Sequence, residues 1–174
     1  MLVYLCQVDI RCFQREENSM DLKAELLALT RTLNEASIPY ALCGGMAVTL
    51  HGFPRLTRDV DLLIQETDLE RVRETLAIVG FSIPGGTIPF DVGKPFERRV
   101  FRVSKRVDAD LLTVDLLLLP ALLEDVWNER EVYDVDGVPV AVVSRLGLLK
   151  MKRIAGRPQD LLDIETLEGE DDAT

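Results

Sequence analysis

Apolar residues recur along this chain at two distinct periods. Leu22, Leu26, Leu29 and Leu33 return every three or four positions, which is the spacing of one helix face. Ser19 or Asp21 stands where an N-cap belongs, and Ile38-Pro39 closes the run near Ala36. Leu69, Val72, Leu76 and Val79 repeat the pattern, with Thr67 as the expected cap and Gly80 as the stop. Between and after these stripes come short, mostly apolar runs. Tyr40 to Cys43, Asp59 to Ile64 and Leu111 to Leu119 read as strands. Arg98 to Ser104 suits a strand paired with the last of them.

The remaining stretches are punctuated by turn residues. Phe81 to Ile83 reads as a short strand, and residues 84–95, rich in Gly and Pro, as a loop over the mouth of a site. Pro120 opens a helix to about Asn128 that carries the lone Trp127. Residues 130–143 read as a hairpin turning at Asp136-Gly137. Ser144 caps a helix through Ala155, Gly156 ends it, and Arg157-Pro158 begins a last helix to about Leu167. No internal repeat is visible. A length of 174 residues supplies one sizeable core and is short for two ordinary domains. The expected organisation is a single domain over 19–167 and a frayed acidic tail over 168–174. Residues 1–18 do not fit the pattern that follows. They are either a strand added to a sheet edge or an extension upstream of a start at Met20.

One stretch concentrates the chemistry, YALCGGMAVTLHGFPRLTRDVDLLI from Tyr40 to Ile64. Gly44 and Gly45 follow a buried strand and precede a short helix, Met46 to Leu50. Glycines allow a sharp turn, and the free N–H groups of a helix start face an anion well, so a phosphate is the expected guest. Asp59 and Asp61 are two apart on a strand and share one face, with Cα atoms about 6.5–7 Å apart. Carboxylates so placed repel unless a cation lies between them, and Mg²⁺ takes carboxylate and phosphate oxygens together. Asp115 is the one acid in LLTVDLLLL. A buried carboxylate needs a counter-charge or a metal, and the alternative to a metal is a salt bridge to Arg58 or Arg99. With this strand beside the first, Asp59, Asp61 and Asp115 form a triad able to hold two Mg²⁺ ions.

The ordered set of GG, TRDVDLL, an isolated VDLL and the tail LKMKRIAGRPQDLLDIETL resembles the nucleotidyltransferase superfamily of the DNA polymerase β type. The fuller pattern GGMAVTLHGFPRLTRDVDLLI most resembles the AbiEii-like nucleotidyltransferases, known as toxins of toxin–antitoxin systems. The resemblance covers about residues 38–65, 110–119 and 145–167. It implies an α+β fold, a mixed sheet flanked by helices, and Mg²⁺-dependent transfer of a nucleotide monophosphate from an NTP to a hydroxyl of a protein or RNA acceptor. By position, Gly44 and Gly45 hold the triphosphate, Asp59 and Asp61 ligate metal, and Asp115 completes the site and helps activate the acceptor. Many members carry Gly-Ser where this chain has Gly44-Gly45, so backbone N–H groups must replace a serine hydroxyl. Larger members add a helical domain that helps hold the acceptor, and little of this chain beyond residue 167 is left to build one. An antitoxin partner is a further implication. The rival reading is a module of the same fold that binds nucleotide or protein without turnover.

Charge and cysteine content refine this picture. The net charge is −10, yet residues 91–106 hold six bases against two acids, and residues 145–157 hold five bases and no acid. Such patches are compatible with a nucleotide or RNA without requiring one, and solvated faces explain such runs more often than ligands do. Arg55 and Arg58 flank the site and can contact phosphate, although on a continuing strand Arg58 points away from Asp59 and Asp61. Lys152, Arg157, Asp160 and Asp163 form a second polar cluster. It either ties the last two helices together or serves the site, with Lys152 steadying the triphosphate. His51, the only histidine, is a candidate base, though a histidine at a helix end commonly caps carbonyls. Three cysteines without C-x-x-C spacing suit free thiols in a reducing cytosol. No apolar run approaches the roughly 20 residues of a bilayer span, and no membrane partner is expected.

Overall fold

The structure, a computed structural model, describes residues 3–4 and 21–169. Its strands are β1 (Val3–Tyr4), β2 (Ala41–Cys43), β3 (Asp59–Ile64), β4 (Ile83–Phe90), β5 (Arg98–Val107), β6 (Asp110–Leu118), β7 (Glu131–Val135) and β8 (Val138–Val142). Its helices are α1 (Leu22–Glu35), α2 (Gly44–Leu50), α3 (Leu69–Ile78), α4 (Glu124–Asn128), α5 (Arg145–Ala155) and α6 (Pro158–Glu168). The strands form one mixed sheet in the order β1-β7-β8-β2-β3-β6-β5-β4. Pairs β1/β7, β2/β8 and β3/β6 are parallel, and β7/β8, β2/β3, β5/β6 and β4/β5 are antiparallel. The expected α+β architecture, a mixed sheet flanked by helices, is therefore the one found.

The pleat sorts this sheet into two faces. On β6, Leu112, Val114, Leu116 and Leu118 are buried, whereas Thr113, Asp115 and Leu117 alternate with them. Phe101 and Val103 of β5 pair with Leu116 and Val114 and share their face. Helices α1 and α3 cover that side. Arg73 of α3 lies over the Phe101 ring and Lys105 of β5 reaches Glu25 of α1. The leucine stripe Leu22, Leu26, Leu29 and Leu33 is buried as its spacing demands, and Asp21 caps α1 by accepting from the Ala24 N–H. Ser19, the other candidate cap, lies outside the described residues. Helices α5 and α6 lie on the opposite side, above Asp61 and Asp115.

Several elements differ from the sequence expectation. Residues 83–90 form a strand, not a loop, because β4 pairs antiparallel with β5 along its whole length. Pro84 and Pro89 are tolerated there because β4 is an edge strand, and a bulge between Pro84 and Gly86 absorbs the irregularity. The turn comes only at 91–97, and Phe81 and Ser82 lie before the strand. Helix α3 is entered through a 3-10 turn at Glu66–Asp68, so Thr67 sits inside that turn and does not cap. The segment after Pro120 divides into a 3-10 turn, Ala121–Leu123, and α4.

Other signals act as read. Asp136 and Gly137 both have positive φ, 52° and 78°, as a two-residue hairpin turn between β7 and β8 requires. Ser144 accepts from the Gly147 N–H, and Gly156 ends α5 with φ 61°. Of residues 1–18, Val3–Tyr4 pair in parallel with β7 at the sheet edge. The rest of that segment, and the tail after Gly169, lie outside the described residues.

Candidate active site

The parallel register of β3 and β6 brings the acids together. Asp59 pairs with Thr113 and Asp61 pairs directly with Asp115. Since side chains alternate, all three carboxylates rise from one face, while Val60, Leu62 and Ile64 enter the core on the other. Burial, and then mutual repulsion, raise the pKa of two of them. The Asp61 carboxyl is pushed up to about 6, by desolvation first and then by Asp115 and Asp59. Asp59 is also raised, by burial and then by Asp115. Neither carboxylate has a hydrogen bond or ion pair among the described residues.

The glycine pair shapes the floor beside them. Gly44 has φ +65°, and a Cβ there would stand 1.9 Å from Asp61 Oδ2. A Cβ on Gly45 would meet the Thr57 hydroxyl at 2.9 Å and Arg55 Nη1 at 3.1 Å. Both glycines are therefore demanded by close approach of the protein's own side chains. Helix α2 begins at Gly44 with no side-chain cap from Cys43, so its first-turn N–H groups have no cap beside Asp61. Cys43 pairs with Asp61 across β2 and β3, and burial followed by the Asp61 charge pushes its thiol well above the usual value.

Asp115 has a partner that the sequence reading did not name. Arg102 of β5 stands directly opposite it and grips both carboxylate oxygens, Nε to Oδ1 and Nη2 to Oδ2, each at 2.8 Å. The expected alternatives fail for reasons of face and reach. Arg99 pairs in register with Leu118 on the far side of the sheet and bonds Glu66. Arg58 precedes β3, is exposed, and acts on Asp59 only through space.

Above the acids lies a cleft of about 320 Å³, roofed by Leu148, Met151, Lys152 and Ala155 of α5 with Arg157 and Asp160. Gly44, Asp61 and Asp115 line its floor, and Phe90, Asp91 and Arg98 its rim. The second cluster thus faces the first. Lys152 Nζ donates to Asp163 at 2.6 Å and lies 3.6 Å from Asp160, with Lys152 only 4% exposed. Arg157 holds Asp160 through its side chain at 2.7 Å and its backbone N–H at 3.2 Å. Burial opposes the Asp160 charge, yet these bonds keep its carboxyl below the usual range. Arg55 adds a bond to Asp163 at 2.7 Å. Gly45, Arg58, Asp59 and Asp163 stand near the cleft without lining it.

Three features were not singled out by sequence: Arg102 on Asp115, and, lining the cleft, the Asp91–Arg98 pair at 2.8 Å and Phe90. Arg98, Val100 and Arg102 alternate onto one face of β5, a pattern present in the sequence but meaningless until the register with β6 is known. His51 bonds the Val143 carbonyl at 2.9 Å and meets the Tyr133 hydroxyl at 3.2 Å. Its ring joins the end of α2 to β7 and to Val143 just past β8, while its backbone N–H caps α2 at the Ala47 carbonyl. Burial lowers its affinity for a proton.

The oxygens of Asp59, Asp61 and Asp115, with Asp61 left uncompensated, have the donor chemistry of a hard divalent-cation site. Among the described residues no three acidic, histidine or cysteine side chains are gathered closely enough as they stand to hold an ion.

Neither a protein-family model nor a curated protein matches the sequence. Solved structures do match the fold. TM1012 of Thermotoga maritima, a proposed nucleotidyltransferase, is 12% identical with a TM-score of 0.59, over 90% of this chain and 99% of that one. The antibiotic-resistance factor ANT(2'')-Ia in solution is 14% identical with a TM-score of 0.54, over 88% of this chain and 87% of that one. In complex with adenylyl-2''-tobramycin it is 12% identical with a TM-score of 0.51, over 85% and 87%. The fold is that of nucleotidyltransferases.

Proposed function

We propose that this chain is a Mg²⁺-dependent nucleotidyltransferase. It moves a nucleotide monophosphate from an NTP to a hydroxyl of a protein or RNA acceptor. One observation carries the reading: Asp61 and Asp115 stand in direct parallel register, with Asp59 on the same face, beneath a cleft that Lys152 and Arg157 also line. The shared fold with TM1012 and ANT(2'')-Ia supports it.

Asp59, Asp61 and Asp115 are the residues to hold Mg²⁺. When bound, it supplies neutralising charge for the carboxylates and the triphosphate and polarises the phosphate under attack. Gly44 and Gly45 offer backbone N–H groups to the phosphates, and Lys152, Arg157 and Arg58 offer positive charge. The acceptor oxygen forms a bond to the α-phosphorus as the bond to the β-phosphate bridge breaks. Pyrophosphate leaves and the hydroxyl proton passes to Asp115.

Calorimetry of each NTP with Mg²⁺ against wild type, Asp59→Asn and Asp61→Asn tests the binding half. Binding by wild type and a loss of tenfold or more in either variant is expected. No binding, or equal binding by the variants, overturns the proposal. Binding without pyrophosphate release across candidate acceptors leaves a non-catalytic module instead. A toxin role, with an antitoxin as partner, predicts growth arrest on expression and rescue by Asp61→Asn.

A further inference from the structure

Arg102 is the cation that the acidic face already holds. Among the described residues it alone hydrogen-bonds a carboxylate of the triad. Lys152 and Arg157 are committed to Asp163 and Asp160, and Arg58 makes no bond to Asp59. We propose that Arg102 is a resident counter-ion, and that a divalent cation enters by displacing it from Asp115. Arg102 is then a positioning residue that holds the ion-free triad together and sets how tightly an ion binds. This rests on reading Asp59, Asp61 and Asp115 as metal ligands.

The geometry argues for exchange rather than a fixed strut. The guanidinium fork takes one lone pair on each Asp115 oxygen and sets its positive charge against both, so an ion approaching those oxygens is repelled by the resident cation until the grip loosens. The pair is not locked in, because the Arg102 side chain is 42% exposed. Water reaches the arginine side of this bidentate pair, which makes it less costly to release than a fully buried one. One monovalent cation pairs with one carboxylate, whereas a divalent ion placed among three neutralises the repulsion that Asp59 and Asp61 still carry.

The seat of Arg102 is also built into the sheet. Its aliphatic stem lies over Gly85, in the bulge where β4 shifts register. A Cβ at Gly85 would come within 2.9 Å of Arg102 Cγ and 3.2 Å of Cδ. An ordinary residue at that bulge pushes the stem and moves the guanidinium off Asp115 with no change in charge.

Magnesium and manganese titrations by calorimetry, with thermal melts in chelator and in millimolar Mg²⁺, test this on the full chain. Arg102→Gln is expected to bind Mg²⁺ about three- to tenfold more tightly than wild type, the scale of one exposed ion pair. It melts lower than wild type in chelator and gains more on adding Mg²⁺. Arg102→Lys, which keeps the charge but not the fork, falls between. Gly85→Ala shifts Mg²⁺ affinity in the same direction as Arg102→Gln with every charge in place, and covers the case in which Arg102→Gln does not fold. Arg58→Gln removes an equal charge beside Asp59 without breaking the pair and has a smaller effect. Equal affinity in wild type, Arg102→Gln and Gly85→Ala overturns the exchange while leaving the metal site standing. So does Arg58→Gln tightening binding as much as Arg102→Gln, since net charge alone then explains it. If neither wild type nor any variant binds a divalent ion, the metal reading itself falls.

Discussion

Asp61 shows how one residue can be costly to the ion-free protein. Its carboxyl titrates near 6 in the fold against about 3.8 when unperturbed. The folded state therefore binds the proton more tightly than the unfolded chain. Its contribution to stability is present below pH 3.8 and is lost as pH rises through 6. Asp61→Asn removes that loss. In the absence of divalent ions, the variant is expected to be more stable than wild type at pH 8, by on the order of 2 kcal/mol. The gap should close toward pH 4. Urea unfolding of both proteins across this range measures it, and a constant gap, or a less stable variant at pH 8, contradicts the account. The same carboxylate explains Gly44: with Asp61 Oδ2 against its α-carbon, no larger residue fits.

At the scale of elements, the informative pair is α5 and α6. Their joint contains buried charge: Lys152, Asp160 and Asp163 are buried, while Leu161 and Leu162 are exposed. Removing one member of a buried ion pair leaves an uncompensated charge, which typically costs about 3–5 kcal/mol. Here Arg55 still holds Asp163 and Arg157 still holds Asp160. Lys152→Met is therefore expected to lose about 2–3 kcal/mol, toward or below the low end of that range. Denaturant melts check this, and a loss under about 1 kcal/mol refutes the structural role. Asp160 and Asp163 one turn apart on a helix made the pairing legible in sequence. The contribution of Arg55 was not legible, because it comes from a loop whose path no local pattern encodes. The edge strand β4 was misread for a similar reason: Pro and Gly argue for a loop locally, and only pairing with β5 makes a strand of them.

Across the whole molecule one apolar core draws on both faces of the sheet and includes Cys43 at 2% exposure, under the cleft beside Asp61. Its thiol is both shielded and held protonated by burial and by Asp61. Thiolate is the reactive form, so Cys43 should be alkylated only when the fold opens. Peptide mass spectrometry after iodoacetamide is expected to show Cys43 unmodified under native conditions and labelled in denaturant. Labelling at the native rate of an exposed thiol would contradict this burial. Among the described residues no helix is long and apolar enough to cross a membrane.

Sequence alone determined what depends on near neighbours. Helix stripes, the Asp136-Gly137 turn, the Ser144 and Gly156 caps and the shared face of Asp59 and Asp61 all follow from spacings of a few residues. Those signals arise within one turn or one pleat, where chain geometry leaves few options. The tertiary structure decided what depends on register between distant strands. It set Asp115 opposite Asp61, chose Arg102 over Arg99 as its partner, and brought the α5–α6 charges over the same cleft. Sliding either strand by one residue would send those side chains to the other face, and that choice is made by the packing of the whole sheet.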